Sequence, residues 1–165
     1  MQPWFITSEL PHEVFMAFRK QNCELNPTAI LATVNLDGTP HTAPFGSFRA
    51  VTPQLIRFVI FRGHKTFKNL SNNSQVALFS TCPPDIAVSI NGIARTLKEQ
   101  MDFDPQYAIV EISIYTVKNN MFNKGIIKSG ITISPFKKHE DWFKKLIGEL
   151  EELEIADDES FFYEG

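Results

Sequence analysis

Apolar positions recur with a period of two in several short runs of this chain and at helical spacing in only a few. In the run 55–61, Ile56, Phe58 and Ile60 alternate against Arg57 and Val59, the pattern of a half-buried strand. The run 29–36 is rich in apolar and β-branched residues, and Asp37-Gly38 after it is a strong hairpin signal. The chain returns over 40–48 and turns around Val51-Thr52-Pro53. Further strands are predicted at 75–81, which Cys82-Pro83-Pro84 ends, at 86–97 and at 107–117. Asn91-Gly92 interrupts the fifth run as a tight turn or a bulge. Helical spacing is found at 8–22, with Ser8 or Pro11 near its start and Val14, Phe15 and Phe18 on one stripe. A short helix is predicted at 65–71, and a longer one at 141–154 from Trp142, Leu146, Leu150 and Leu153. Six short strands joined by hairpins, with modest helices, predict a mainly β barrel or sandwich.

Length and charge narrow the classes. At 165 residues the chain reads as one domain, 1–165, with a C-terminal helical segment at about 139–155. With 16 basic and 19 acidic residues the net charge is -3, which argues against a nucleic-acid surface. The lysines at 65, 68, 118, 124, 128, 137 and 138 are spread over several segments and read mainly as solvated positions. The N-terminus lacks a basic-then-apolar signal pattern and no run approaches a membrane span, so a cytoplasmic protein is expected. Cys23 and Cys82 have no CxxC partner and read as reduced thiols. Fifteen phenylalanines exceed what a small core needs and leave some for a subunit contact. The acidic-aromatic tail, with Asp157-Asp158-Glu159 and then Phe161, Phe162 and Tyr163, either frays or docks on the body or a partner.

Candidate chemistry is sparse. No GxGxxG, GxxxxGK, HExxH or GxSxG pattern occurs, and His12, His41, His64 and His139 are scattered without metal spacing. His41 reads first as a surface residue after the hairpin, with an approach to a ligand as the other reading. His64-Lys65-Thr66 supplies a helix start, a hydroxyl and a cation, the groups a phosphate needs, and Arg62 offers a second charge after Phe61. The plain alternative is a polar turn with Thr66 as the helix cap. Upstream, Ala43-Pro44-Phe45-Gly46-Ser47 is odd for simple packing. Pro44 prefers an edge or bulge, and Gly46 either admits a ligand to the backbone or relieves curvature. Ser47 lies within reach of a ribityl chain or phosphate on the first reading.

In order and spacing these segments resemble the FMN-binding split-barrel superfamily, which holds the pyridoxamine 5′-phosphate oxidases and flavin reductase-like proteins. The likeness spans roughly residues 27 to 120. Ala43-Pro44-Phe45-Gly46-Ser47-Phe48 resembles an Ala-Pro-Phe-Ser run of the flavin reductase-like members, and His64-Lys65-Thr66 with Asn69 resembles their phosphate region. Val110-Glu111-Ile112 followed by Asn119, Phe122 and Lys124-Gly125 is similar to an archaeal-type flavoprotein branch, with Lys124 in place of its arginine. The resemblance implies a six-stranded antiparallel split β-barrel with flanking helices that binds FMN at a homodimer interface. Ala43, Phe45, Gly46, Ser47, Phe61, Arg62, His64, Lys65, Thr66 and Asn69 would hold the cofactor, while Asn119, Phe122 and Lys124 form either the far wall or a surface loop. The C-terminus lacks the basic grip of a pyridoxamine-phosphate site, so the expected activity is FMN-dependent electron or hydride transfer to a small-molecule acceptor, with NAD(P)H as a possible donor. A noncatalytic flavin carrier, or a barrel holding haem or a deazaflavin, is the alternative.

Overall fold

A computed structural model describes residues 4–155. The tail readings at 157–163 fall outside the described residues. Eight strands form one antiparallel sheet, β1 Ile6–Thr7, β2 Ala29–Val34, β3 Pro40–Phe45, β4 Arg49–Thr52, β5 Leu55–Phe61, β6 Gln75–Cys82, β7 Ile86–Lys98 and β8 Tyr107–Asn119. Along the sheet the order is β3-β2-β6-β7-β8-β5-β4, with β1 paired to the end of β8. The helices are α1 His12–Phe18, α2 Lys65–Asn72 and α3 Glu140–Glu152, and a single 3-10 turn at Lys137–His139 leads into α3.

The expected six-stranded antiparallel split β-barrel is therefore corrected: the sheet has eight strands and does not close into a barrel. The two additional strands carry little pattern: β1 is two residues long, and β4 runs into Pro53 after four residues without alternation. The outer strands β3 and β4 follow one another in the chain, so the sheet must curl, but no ladder joins them. The corner between them is occupied otherwise. Lys20 Nζ donates to Gly46 O at 2.7 Å, Ser47 Oγ accepts from Val59 N at 2.9 Å, and Arg49 Nε donates to Ser47 O at 3.1 Å. These side-chain contacts hold the corner where no β3–β4 ladder does.

The curled sheet has apolar layers on both faces. Inside lie Leu31, Phe48, Ile56, Phe58, Ile60, Val88, Val110 and Ile112, with Val14 and Phe18 of α1 covering one end. Outside, α3 lays Leu146, Ile147 and Leu150 over Val59 and Ile109. β5 is thus buried on both faces, which explains why Arg57 and Val59, the positions expected at the surface, are enclosed. α1 is much shorter than the predicted 8–22 helix, because Lys20, Asn22 and Cys23 all take positive φ and end it. Cys23 and Cys82 are unbridged. No helix among the described residues is long and apolar enough to cross a membrane.

Two glycines answer local demands. Gly38 sits in the β2–β3 hairpin at φ 85, a conformation open to glycine at no steric cost. At Asn91-Gly92 the β7–β8 register slips, the bulge rather than the turn of the two readings. A Cβ on Gly92 would meet Ile112 Cγ2 at 2.4 Å and Ser113 O at 2.6 Å. One of these is backbone in a central strand and cannot yield cheaply. Gly92→Ala is expected to cost about 1–3 kcal/mol in urea unfolding; an unchanged midpoint would show that the β7–β8 pair can part at the bulge.

Candidate functional site

The start of α2, the β2–β3 hairpin and the end of β5 enclose an open cleft of about 800 Å³. Its walls include Asn35, Asp37, Arg62, His64, Lys65 and Lys68, with Asn69 at the back. Arg62, Lys65 and Lys68 outnumber the one carboxylate, Asp37, so the cleft is electropositive on a chain of net charge -3. Asp37 itself is held below the usual carboxylate range by the Thr39 hydroxyl and then the Thr39 amide, both of which donate to it.

α2 begins here because β5 ends at Arg62-Gly63 and His64 caps the turn. His64 Nδ1 accepts from Thr66 N at 3.0 Å, so the cap is His64 and not Thr66. Thr66 is 0% exposed, and its hydroxyl finds no hydrogen-bond partner among the described residues. Asn69 donates from Nδ2 to Thr33 Oγ1 at 3.1 Å and Asn35 Oδ1 at 2.9 Å, which ties α2 to β2. On the facing strand, the inward positions of β3 are His41, Ala43 and Phe45. The His41 ring lies 6.2 Å from that of His64, and Phe45 lies 5.9 Å from it. His41 is half-buried rather than at the surface, and its Nε2 is enclosed without a partner. Burial, and then His41, hold the His64 imidazole below its ordinary pKa.

The other candidate positions divide. Ala43 is buried opposite Leu31. Phe45, Gly46 and Ser47 border a separate apolar cavity of about 180 Å³ beneath α3. Gly46 there is covered by this chain: a Cβ would stand 2.3 Å from Ile133 Cδ1 and 3.0 Å from Leu25 O. Ser47 Oγ is spent on Val59. Phe61 is partly exposed with its ring 5.6 Å from Tyr107. Asn119 donates to Trp4 O and accepts from Met121 N, while Phe122 is 62% exposed and packs on Gly125. Neither Asn119, Phe122 nor Lys124 lines the α2 cleft within one subunit. Asn35, Asp37 and Lys68, absent from the sequence-derived set, do line it. The hairpin signal at Asp37-Gly38 gives the turn of Asn35 and Asp37 but not the helix, bearing Lys68, that it faces.

A family model described as pyridoxamine 5′-phosphate oxidase matches residues 17–126. The chain belongs to this pyridoxamine 5′-phosphate oxidase-related family of FMN-binding proteins. Among solved structures it is similar to a candidate pyridoxamine 5′-phosphate oxidase of Lactobacillus delbrueckii, at 26% identity and TM-score 0.56 over 67% of this chain and 94% of that one. An FMN-binding protein of Syntrophomonas wolfei shares the fold at 10% identity, TM-score 0.53, over 68% of this chain and 89% of that one. HupZ of Group A Streptococcus does so at 16% identity, TM-score 0.53, over 69% and 98%. No curated protein matches.

Proposed function

We propose that the chain is an FMN-dependent oxidoreductase whose cofactor phosphate seats at the start of α2. The observation that carries this is the buried, unpartnered Thr66 hydroxyl on the first turn of a helix that opens into an electropositive cleft. A phosphate monoester brings the acceptor that such a hydroxyl lacks, and Arg62, Lys65 and Lys68 supply countercharge. The volume suits a ligand of this size. The His41 and Phe45 rings of β3, 6.2 Å and 5.9 Å from that of His64, would offer a polar edge and an apolar wall beside the phosphate end. Gly46 and Ser47 are satisfied within the chain, so the ring contacts come from elsewhere on the cleft or from a second subunit.

A homodimer is part of this reading. Phe122, Ile126, Ile131, Ile133 and Phe136 stand exposed along the segment between β8 and α3, an apolar band of the kind that marks protein contact. When bound, FMN accepts and passes on a hydride or electrons; the protein's part is to bind its phosphate, orient it and limit water. The small-molecule acceptor, and NAD(P)H as donor, are tested by anaerobic bleaching of the flavin absorption. FMN bound without bleaching by either nicotinamide would favour a carrier.

Calorimetry tests the phosphate site directly. FMN is expected to bind well above riboflavin, and Thr66→Ala to weaken FMN by about 1–3 kcal/mol while leaving riboflavin unchanged. Equal affinities for the two flavins would move the phosphate away from α2.

A further inference from the structure

The amide of α2 that a phosphate needs is already engaged by the protein itself. His64 Nδ1 accepts from Thr66 N at 3.0 Å. A ring nitrogen that accepts a hydrogen bond carries no proton, so the capping imidazole is neutral with its hydrogen on Nε2. The common caps, Asn, Asp, Ser and Thr, accept at any ordinary pH. Histidine caps only while Nδ1 is bare. Behind it, the fully buried Thr66 hydroxyl has no partner, so the ring lies on a helix start that still has an unmet donor.

We infer that His64 is a proton-linked gate on this site: a phosphate monoester displaces the ring, its oxygen replaces Nδ1 on the Thr66 amide, and the freed Nδ1 takes a proton from water to face the dianion as imidazolium. This rests on the reading of the cleft as a flavin-phosphate site. The charged and titratable groups around the ring are Lys65 and Lys68 of α2, Arg62 at the end of β5, Asp37 of the hairpin and His41 of β3. In the free protein burial, and then the His41 imidazole, oppose a charge on His64. A seated dianion reverses that balance. The cap and the phosphate therefore compete for one amide, and the proton goes with the phosphate.

The sign follows from linkage. Binding raises the His64 pKa from below about 6.5, so FMN affinity rises as pH falls from about 8 toward 6.5. Below about 6 the phosphate begins to protonate and the gain stops. Riboflavin has no phosphate and is expected to bind with a flat profile.

The test uses the full chain, titrating FMN and riboflavin between pH 6.5 and 8 in two buffers of different ionisation enthalpy, with the His64 ring followed by NMR. Wild type is expected to take up a fraction of a proton with FMN and none with riboflavin, and the His64 resonance to titrate at higher pH when FMN is bound. His64→Asn keeps an acceptor for the Thr66 amide but cannot titrate; it is expected to lose the FMN proton uptake. His64 titrating at the same pH with and without FMN, or His64→Asn keeping the wild-type uptake, overturns the gate alone. Absence of FMN binding to either protein overturns both the gate and the flavin reading.

Discussion

Glu111→Leu is expected to lower the unfolding free energy by about 3–5 kcal/mol. Glu111 is 0% exposed on β8, and the strand register sets Arg57 of β5 and Arg95 of β7 directly across from it. Its Oε2 accepts from Arg57 Nε at 2.8 Å and its Oε1 from Arg95 Nη2 at 2.9 Å. Arg95 is half-exposed and keeps water, but Arg57 is 1% exposed. Removing the carboxylate takes from the buried guanidinium the acceptor of its Nε, and desolvation makes that loss costly. Arg57 also donates to the carbonyls of Leu153 and Glu154, so it fastens the end of α3 to the sheet. The double variant Arg57→Met with Glu111→Leu is expected to be more stable than Glu111→Leu alone, because an apolar pair at this rung buries no guanidinium. Urea unfolding of the two variants decides it. A single variant within about 1 kcal/mol of wild type would place the pair's weight on its carbonyl contacts instead.

That rung also shows where sequence reasoning stops. Alternation in 55–61 located β5 to the residue, since Ile56, Phe58 and Ile60 do face one core. Alternation also placed Arg57 at the surface, because a pattern of two cannot show that α3 covers the second face. The phosphate-like cluster is legible for a local reason: Arg62, His64, Lys65 and Asn69 fall within one short stretch of chain around the start of α2. Nothing nearby in the chain decides whether Gly46 opens to a ligand or relieves curvature, or what Ser47 reaches. Their partners are Ile133 and Val59, which the fold brings in from afar. His41 reads first as a surface residue for the same reason, its neighbour being His64 from a distant part of the chain. The split-barrel expectation misses a tertiary detail, a corner held by the side chains of Lys20, Ser47 and Arg49 in place of a β3–β4 ladder.

The same corner gives the second large effect: the stability difference between wild type and Lys20→Met is expected to grow as pH rises. Lys20 is 6% exposed, at φ 37 just past α1. Its Nζ donates to Gly46 O at 2.7 Å and Pro27 O at 3.0 Å, and stands 4.0 Å from the Phe48 ring centre. Burial, then the nearby Arg49, lower its pKa from 10.5 to about 6, against a weaker pull from Glu24. The folded amine therefore sheds its proton while the unfolded chain still holds one. Between those two values the unfolded state binds more protons, so stability rises with pH. The contribution is complete above the unfolded value and is lost as pH falls through about 6. Each pH unit inside the window is worth at most about 1.4 kcal/mol. A neutral amine still donates to the carbonyls of Gly46 and Pro27, whereas methionine leaves both without it, a further cost of about 1–3 kcal/mol at any pH in the window. Urea unfolding of both proteins at several pH values between 6 and 9 measures the slope. A difference that stays flat would mean that the two carbonyls and the Phe48 face keep the ammonium charged in the folded state, with the corner held by a cation throughout.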